Sequence, residues 1–544
     1  MPVTDEHPIC KFPARYLKLK KLLNINISKQ LHKCVKLNEF INKANAQSAD
    51  VVFSSYYLHS ASSAFGHSLL KINRKGKTKE DLLGYAINYA ALTGKENPFL
   101  FAFKGIGGFF KGDFRAIPYY YKVREYSSYE SRDLWSYRLN FSDEEIKFLI
   151  LHIWELGNAS SPYYYATQNC SYWILRIIEA IRPQLDLTQK LSPLIVLPIE
   201  TIKTLFTEKD LIKTYSVRSS LRNKVLSRMK NLNRSEVNDV KKITKKLYNS
   251  QELQSSPSAA VLDAAIDYYD FKYSKEMVNQ EKELLKRKQP LMILRSQNNT
   301  PAQSLKHELH SPHKVHPARK LKASYGLRGK KTFIQISKKS LLHSLIDPDI
   351  GFDPFSEINF LDFGVKFFEK DLKKNQWELS FSHVDLLKIS VLQPLSPINK
   401  KMAWSFATGL HDYIDKNYPE TQLLQSLYLN ISLGYSFKIL QSSKSILYFM
   451  LENELEYGTN LAKKTLRLSM GPQLGALISW TQNLKTQMDF SYLANSTFQN
   501  SLDAYYKIKI KNQYYIPKIR SALGTESSIN NQFQAHSLYA QYYF

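Results

Sequence analysis

The chain reads as an α+β domain with a candidate Cys-His pair, a helical connector, and a C-terminal antiparallel transmembrane β-barrel. Three observations predict this. The early part of the chain mixes helical and strand periodicities of apolar residues. Its chemistry-bearing residues are concentrated in two dense stretches, FSSYYLHSASSAFGHSLLKI (53–72) and YYYATQNCSYWILR (163–176). From residue 321 onward, period-two alternation of apolar and polar residues takes over.

At 544 residues the chain is too long for a single core. Its 35 tyrosines stand out, because Tyr favours sites with one apolar and one wet side, as at membrane interfaces. A formal charge of +27 predicts attraction to polyanions, nucleic acid and anionic headgroups alike. No nucleic-acid motif accompanies that charge, so the expected partner is a membrane and not nucleic acid. The three cysteines form neither a disulfide framework nor a CxxC pair. Cys10 and Cys34 could pair in an oxidising compartment, leaving Cys170 as the odd thiol. The start, MPVTDEHPICKF, shows no basic region followed by an apolar one, so no signal peptide is visible. For an exported protein this implies a misassigned start or a trimmed chain. No apolar run is long enough for a membrane-spanning helix.

Taken in order, residues 1–50 are basic and weakly helical, a docking segment. Residues 51–200 form the domain that holds both dense stretches. Strands are predicted at 51–53, 68–72, 83–91, 117–126 and 133–139. The Gly-rich run KGIGGFFKGDF (104–114) has the spacing of neither a phosphate loop nor GxGxxG, and reads as turns with close backbone approach. Residues 142–156 are the clearest helix: Ser142 is an N-cap, Glu145 completes a capping box, and Ile146, Leu149, Ile150, Ile153 and Trp154 line one face. A second helix runs from Cys170 to about Arg182-Pro183. Residues 201–300 are mostly helical and strongly charged, a solvated connector. Residues 301–320 form a His/Pro linker in which His307, His310, His313 and His316 recur at every third position. Pro312 and Pro317 break any helix that would align them, which favours a linker, or a loop returning to the first domain, over a metal tract.

Residues 321–544 carry the barrel pattern, with roughly twelve strands, an even number as bacterial barrels require. Leu427, Leu429, Ile431, Leu433, Tyr435, Phe437 and Ile439 alternate with polar or small residues, as do Leu361, Phe363, Val365 and Phe367, the run from Leu484 to Tyr492, and Tyr506, Ile508 and Ile510. The chain closes on LYAQYYF, with Leu538, Ala540, Tyr542 and Phe544 on one face. A soluble antiparallel barrel or sandwich is the alternative, but no second sheet is evident to bury so aromatic a face. The stretch 306–339 holds ten Lys/Arg against one acid, Glu308, suited to anionic headgroups.

Cys170 opens a helix, where unpaired N–H groups and the macrodipole favour thiolate. The bland reading is a buried, inert thiol. A Cys nucleophile needs a base, an orienter for that base and an oxyanion site. His67, after Gly66 and at the start of a strand, is the best base. His59 competes from the polar loop LHSASS, and His152 reads as a satisfied surface histidine. Asn88, in YAINYAA, is the candidate orienter, and the Cys170 N–H is a natural oxyanion donor. The chain order is His before Cys, the reverse of papain.

The stretches FSSYYLHSASSAFGHSLLKI, YAINYAA, GIGGFFKGDFRAIPYYYKVREY, RDLWSYRLNFSDEE, HIWELG and YYYATQNCSYWILRIIE together resemble the N-terminal domain of the Lnb-type lipoprotein N-acyltransferases. HPICKFPARY and SPHKVHPARKLKASYG resemble that family's flanking segments, and FGH at His67 and QNCSYW at Cys170 are the most specific pieces. The Asn-Cys pair is also similar to the lecithin retinol acyltransferase group. The resemblance implies a permuted papain-like (NlpC-like) Cys-His domain in the periplasm ahead of an outer-membrane barrel. It implies transfer of an acyl chain from a phospholipid donor, through a Cys170 thioester, to the N-terminal amine of a lipoprotein acceptor, with no cofactor and no metal. The third catalytic residue is not fixed by it. Tyr164, Tyr165, Tyr172 and Trp173, with Tyr163, are candidates to line an acyl-chain groove. Two other functions remain: an NlpC-like cysteine peptidase or amidase acting on cell-wall peptide, and a non-catalytic barrel scaffold.

Overall fold

The computed structural model describes residues 4–24, 33–56, 66–76, 81–94, 96–248, 257–302, 311–340, 343–352, 354–371, 376–396, 398–412, 425–440, 444–458, 466–497, 502–531 and 533–544. It divides into two compact units, Met1–His313 and Lys314–Phe544.

The first unit is α+β. Its strands are β1 (Ala46–Ser54), β2 (His67–Arg74), β3 (Tyr85–Ala91), β4 (Phe110–Pro118), β5 (Leu134–Leu139), β6 (Ser160–Tyr163) and β7 (Ile212–Arg218). They form one antiparallel sheet in the order β6-β4-β3-β2-β1-β5-β7. β1 lies inside the sheet, and Val51, Val52 and Phe53 are all buried, as a strand covered on both faces requires. The edge strand β7 falls within the stretch read as mostly helical.

Three short N-terminal helices, α1 (Pro8–Lys11), α2 (Pro13–Leu22) and α3 (Val35–Ala44), are joined by a Cys10–Cys34 disulfide. Cys10, Cys34 and Leu37 pack on Leu151 and Trp154, and the Trp154 indole N–H donates to the Cys10 carbonyl at 2.8 Å.

The Gly-rich run is not simply turns. Asn97 caps α4 (Pro98–Gly107), its side chain accepting from the Leu100 N–H, and Gly108 ends the helix at φ +74°. Residues 117–126 are not a strand: β4 stops at Pro118, followed by α5 (Tyr119–Val123) and a π-helical turn, Arg124–Tyr129. Tyr119 and Tyr126 cover Val52, Leu69 and Ala86 of the sheet, so the apolar alternation of this segment was a helix face.

The capping-box helix α6 (Asp143–Leu156) forms as the Ser142 and Glu145 pattern dictates. With α7 (Cys170–Ile181) and α8 (Pro198–Leu205) it packs on β1 and β2. Ile174, Leu175, Ile177 and Ile178 of α7 are buried, each contributing about 1.5–3 kcal/mol of transfer free energy. Helices α9 (Leu221–Lys230), α10 (Arg234–Tyr248), α11 (Ala259–Lys272) and α12 (Met277–Ser296) form the charged connector, with Arg228 and Arg295 both reaching Asp263.

The second unit is a closed barrel of twelve antiparallel strands, running from Arg319–Arg328 to Gln534–Tyr543. The last strand pairs with the first, Leu538 opposite Tyr325 and Tyr542 opposite Leu321. Tyr325, Leu379, Phe381, Phe437, Phe449, Leu538 and Tyr542 are exposed on the outside. Glu452, Glu454 and Glu456 point inward from Ile446–Gly458, where Lys507 reaches Glu452 at 3.1 Å and Glu454 at 3.2 Å. An apolar exterior over a polar interior with no free edge is the arrangement a bilayer selects, because lipid offers the backbone no hydrogen bonds. Among the described residues no helix is long and apolar enough to cross a membrane. The inter-strand segment 343–352 folds into the barrel, where Asp347 accepts from the Ser344 N–H, Tyr543 and Gln513 and pairs with Lys320.

Replacing Cys10 and Cys34 together by Ser should destabilise the first unit by about 3 kcal/mol, the chain-entropy term for a loop of this length. Urea unfolding followed by tryptophan fluorescence should show the first unit's transition at lower denaturant, with that of the barrel unmoved.

Candidate active site

Asn169 is the N-cap of α7, and it makes the site possible. Its side-chain oxygen accepts from the Ser171 and Tyr172 N–H groups at 3.1 and 3.4 Å. Its amide nitrogen donates to the Tyr165 and Val196 carbonyls at 3.0 and 2.7 Å. One residue thus caps the helix and fixes the approach loop. Cys170 follows as the first helical residue, 4% exposed and the one free cysteine. Ser171 Oγ lies 3.3 Å from Ser68 Oγ, joining the start of α7 to the start of β2.

His67 is the first residue of β2, paired across the sheet with Ser54. Gly66 before it sits at φ +85°, and a Cβ there would lie 2.8 Å from the Phe53 ring. Only glycine fits this turn without strain. The imidazole Nε2 lies 2.7 Å from Asn88 Oδ1 on β3. With Nε2–H donating to Asn88, the Nδ1 lone pair is left to take a proton. The His67 ring lies close enough to the Cys170 thiol for each to shift the other's affinity for protons. His67, Cys170 and Asn88, three residues from separate elements, therefore meet at the end of β2. Arg132, fully buried, donates to the Ser54 and Ser55 carbonyls at 3.0 and 2.5 Å and stacks over Tyr126, pinning the chain beside His67.

The electrostatics follow from this geometry. Burial pushes the Cys170 thiol up, but the His67 charge and hydrogen bond, the Ser68 N–H and Ser171 outweigh it and bring the group down to about 7. For His67 burial favours the neutral ring, yet the Cys170 charge and the hydrogen bonds of Cys170 and Asn88 raise its affinity for protons. Each charge holds the other, which is the thiolate–imidazolium pairing a cysteine nucleophile requires. The Cys170 N–H faces the Tyr163 hydroxyl. His152 has a different fate: burial, then Arg15 and Lys18, push it down to about 4, so it stays neutral near pH 7. It is a half-buried helix residue stacked on Phe148, not a surface one. His59 lies outside the described residues.

The aromatic residues are half-buried and form one continuous cluster. Tyr165 packs on Phe101, Phe110 and Tyr163, and Trp173 packs on Tyr89, Phe114 and Tyr172. Tyr164 lies against Gly108, where a Cβ would be 2.3 Å from its ring. Four members, Tyr89, Phe101, Phe110 and Phe114, were not singled out in the sequence. They sit on strands and a helix that only the sheet order brings beside 163–173.

His307 and His310 lie outside the described residues. His313 stacks on Phe206 at 3.8 Å and hydrogen-bonds Ser311. His316 belongs to the barrel, its Nε2 3.2 Å from His343 Nδ1. Among the described residues, three barrel clusters could hold a metal ion by distance: His316–His343–Asp347, Asp362–His383–Asp385 and His411–Glu454–Glu456. Each already carries a cation on a carboxylate: Lys320 on Asp347, Lys339 on Asp362, and Arg467 on Glu456. That charge is what a metal would otherwise supply.

Residues 36–208 match the family model described as the Lnb N-terminal periplasmic domain, and residues 309–543 match a domain of unknown function, DUF7840. No curated protein matches the chain. Among solved structures the barrel is similar to a KdgM porin (8% identity, 41% of this chain and 99% of that one, TM-score 0.24). It is similar also to an outer membrane channel from Pseudomonas putida F1 (8%, 44% and 100%, 0.27) and to OmpT of Vibrio cholerae (8%, 45% and 100%, 0.21). The barrel itself is established by the closed pairing of the chain's own strands.

Alkylation of Cys170 by iodoacetamide should rise as pH rises through about 7 and level off above, because the thiolate is the reacting species. His67→Ala removes the opposing charge and leaves burial, so the rise should move above the ordinary thiol range. Gly66→Ala should cost about 1–3 kcal/mol from backbone strain and slow alkylation at neutral pH by displacing His67. Thermal unfolding alongside the alkylation assay measures both.

Proposed function

We propose that this chain, whose residues 36–208 match the Lnb N-terminal periplasmic domain and whose second unit is an outer-membrane β-barrel, is a cysteine acyltransferase with a permuted papain-like site, moving a fatty acyl chain from phospholipid to the N-terminal amine of a lipoprotein. The observation that carries this reading is the buried Cys170 at a helix start, electrostatically paired with a His67 that Asn88 holds in place.

In the first step the Cys170 sulfur attacks the ester carbonyl of the phospholipid. The carbonyl–oxygen bond breaks, and His67 protonates the departing lysophospholipid alkoxide. An acyl thioester remains on Cys170. In the second step the lipoprotein amine attacks that thioester, His67 takes the amine proton, the carbon–sulfur bond breaks, and an amide forms as the thiolate returns. A thioester suits both steps, since it forms from an ester and yields readily to an amine. The Cys170 N–H, the donor at the start of α7 that Asn169 does not take up, would meet the oxyanion of each tetrahedral intermediate. The aromatic cluster around Tyr164, Tyr165, Tyr172 and Trp173 suits an acyl chain better than a peptide. An NlpC-like peptidase would use the same pair with water as the second nucleophile.

Mass spectrometry of lipoprotein N-termini in cells that depend on this protein tests the assignment. Wild type should give N-acylated cysteine, and Cys170→Ala should give the free amine. His67→Ala should lower transfer by about 10²–10⁴-fold, the usual loss with a general base. Persistent N-acylation in Cys170→Ala cells, or intact lipoproteins with newly cleaved cell-wall peptides, would contradict it.

A further inference from the structure

Helix α4 exposes a large apolar face that the site itself does not use. Leu100 is 41% exposed, Phe103 65%, Ile106 63% and Phe109 65%. Leu100, Phe103 and Ile106 follow one another at intervals of three, so they share a side of the helix. Phe109, just past the Gly108 cap, turns back to stack on Phe103 at 5.6 Å, which makes the four residues one continuous surface. The opposite side of the same helix is the wall of the site. Phe101 packs on Tyr165 and Phe110, and the Gly105 carbonyl accepts from the Tyr165 N–H at 3.0 Å. A Cβ at Gly105 would fall 1.9 Å from the Tyr165 ring, so the helix can approach the 163–165 segment only because that position is glycine.

We infer that α4 is a membrane-contact helix, whose Leu100–Phe103–Ile106–Phe109 face enters the headgroup–acyl boundary of a phospholipid leaflet. Water is a poor solvent for such a surface, and monomeric proteins seldom leave one this concentrated uncovered. Three observations choose a bilayer as its occupant. The domain is tied by its own chain to a barrel that resides in a membrane. The helix contains no carboxylate; its Lys104 is paired with Glu96, and Arg115 beyond it with Asp113, which leaves the exposed Lys111 as the cation that a phosphate headgroup beside this face would meet. The face is also continuous, through one helix thickness, with the aromatic cluster beside Cys170, so a lipid engaged by α4 lies next to the groove proposed to accept its acyl chain. This last point rests on the acyltransferase reading; the first two do not.

The test uses the full chain with Cys170→Ala, reconstituted into phosphatidylethanolamine–phosphatidylglycerol vesicles and carrying a nitroxide at Phe103→Cys or Ile106→Cys. A control nitroxide replaces Glu144, exposed at the start of α6. Power saturation should show the labels at 103 and 106 more accessible to oxygen than to a water-soluble nickel complex, with the reverse at 144. Labels at 103 and 106 that stay as water-accessible as the control, or that are shielded from both reagents as in a protein–protein contact, overturn the inference. In the chain with Cys170 intact, the triple variant Phe103→Ser, Ile106→Ser, Phe109→Ser should keep normal iodoacetamide alkylation. It should form acyl-Cys170 about tenfold more slowly from bilayer phospholipid, yet unchanged from a short-chain soluble ester. Equal acylation from bilayer lipid in variant and wild type would also overturn it. Inserted labels in a protein that acylates from neither substrate would support the membrane contact while removing the acyltransferase reading.

Discussion

The contact between the Cys170 sulfur and the His67 imidazole is the interaction on which the first unit's chemistry depends. Burial alone would make Cys170 an inert thiol. It is the opposing charge of His67, with donors from Ser68 and Ser171, that reverses the balance. That contact is made by two elements with no local reason to meet. Asn169 fixes where α7 begins, Gly66 lets the chain turn into β2, Ser68 and Ser171 join the two starts, and Asn88 sets the ring. Each is a small or amide residue, chosen for hydrogen bonding or close approach and contributing little to the hydrophobic core.

The two units answer to different solvents. In the first, a sheet buries apolar residues on both faces, and the few polar groups within it, such as Asp50 and Asn88, are hydrogen-bonded or ion-paired. In the second the rule is inverted. Apolar side chains face outward, and carboxylates and lysines are paired inside, where an unpaired charge would be expensive. The strands have no open edge, so every backbone group can find a partner without water. The proposed acyl transfer would gain from such a neighbour, because a lipid donor and a lipoprotein acceptor would be confined to the same surface.

The parts legible in the sequence were those with short-range signals. The α6 capping box, the Cys170 helix start, Gly66-His67 and the barrel alternation all depend on residues within a few positions of one another, and the twelve strands follow from the last. Failures came where tertiary context decides. Residues 117–126 are rich in tyrosine, and their pattern fits a strand as well as a helix face; only Val52, Leu69 and Ala86 beneath Tyr119 and Tyr126 settle it. In α4 the glycines spoke for turns, yet Asn97-Pro98 is an N-cap signature and Gly105 serves close packing on Tyr165. Asn88 was named from the sequence as the orienter, but its contact with His67 depends on the order of β2 and β3, which no local pattern reveals. Arg132 carried no signal at all.

The most direct test is to look for the covalent intermediate. Purified protein incubated with diacyl phospholipid and without any amine acceptor should gain the mass of one acyl chain on the peptide containing Cys170. Hydroxylamine should remove it, and His67→Ala should abolish its formation. Absence of any acyl adduct on Cys170, together with release of fragments from cell-wall peptide by the same preparation, would contradict the account.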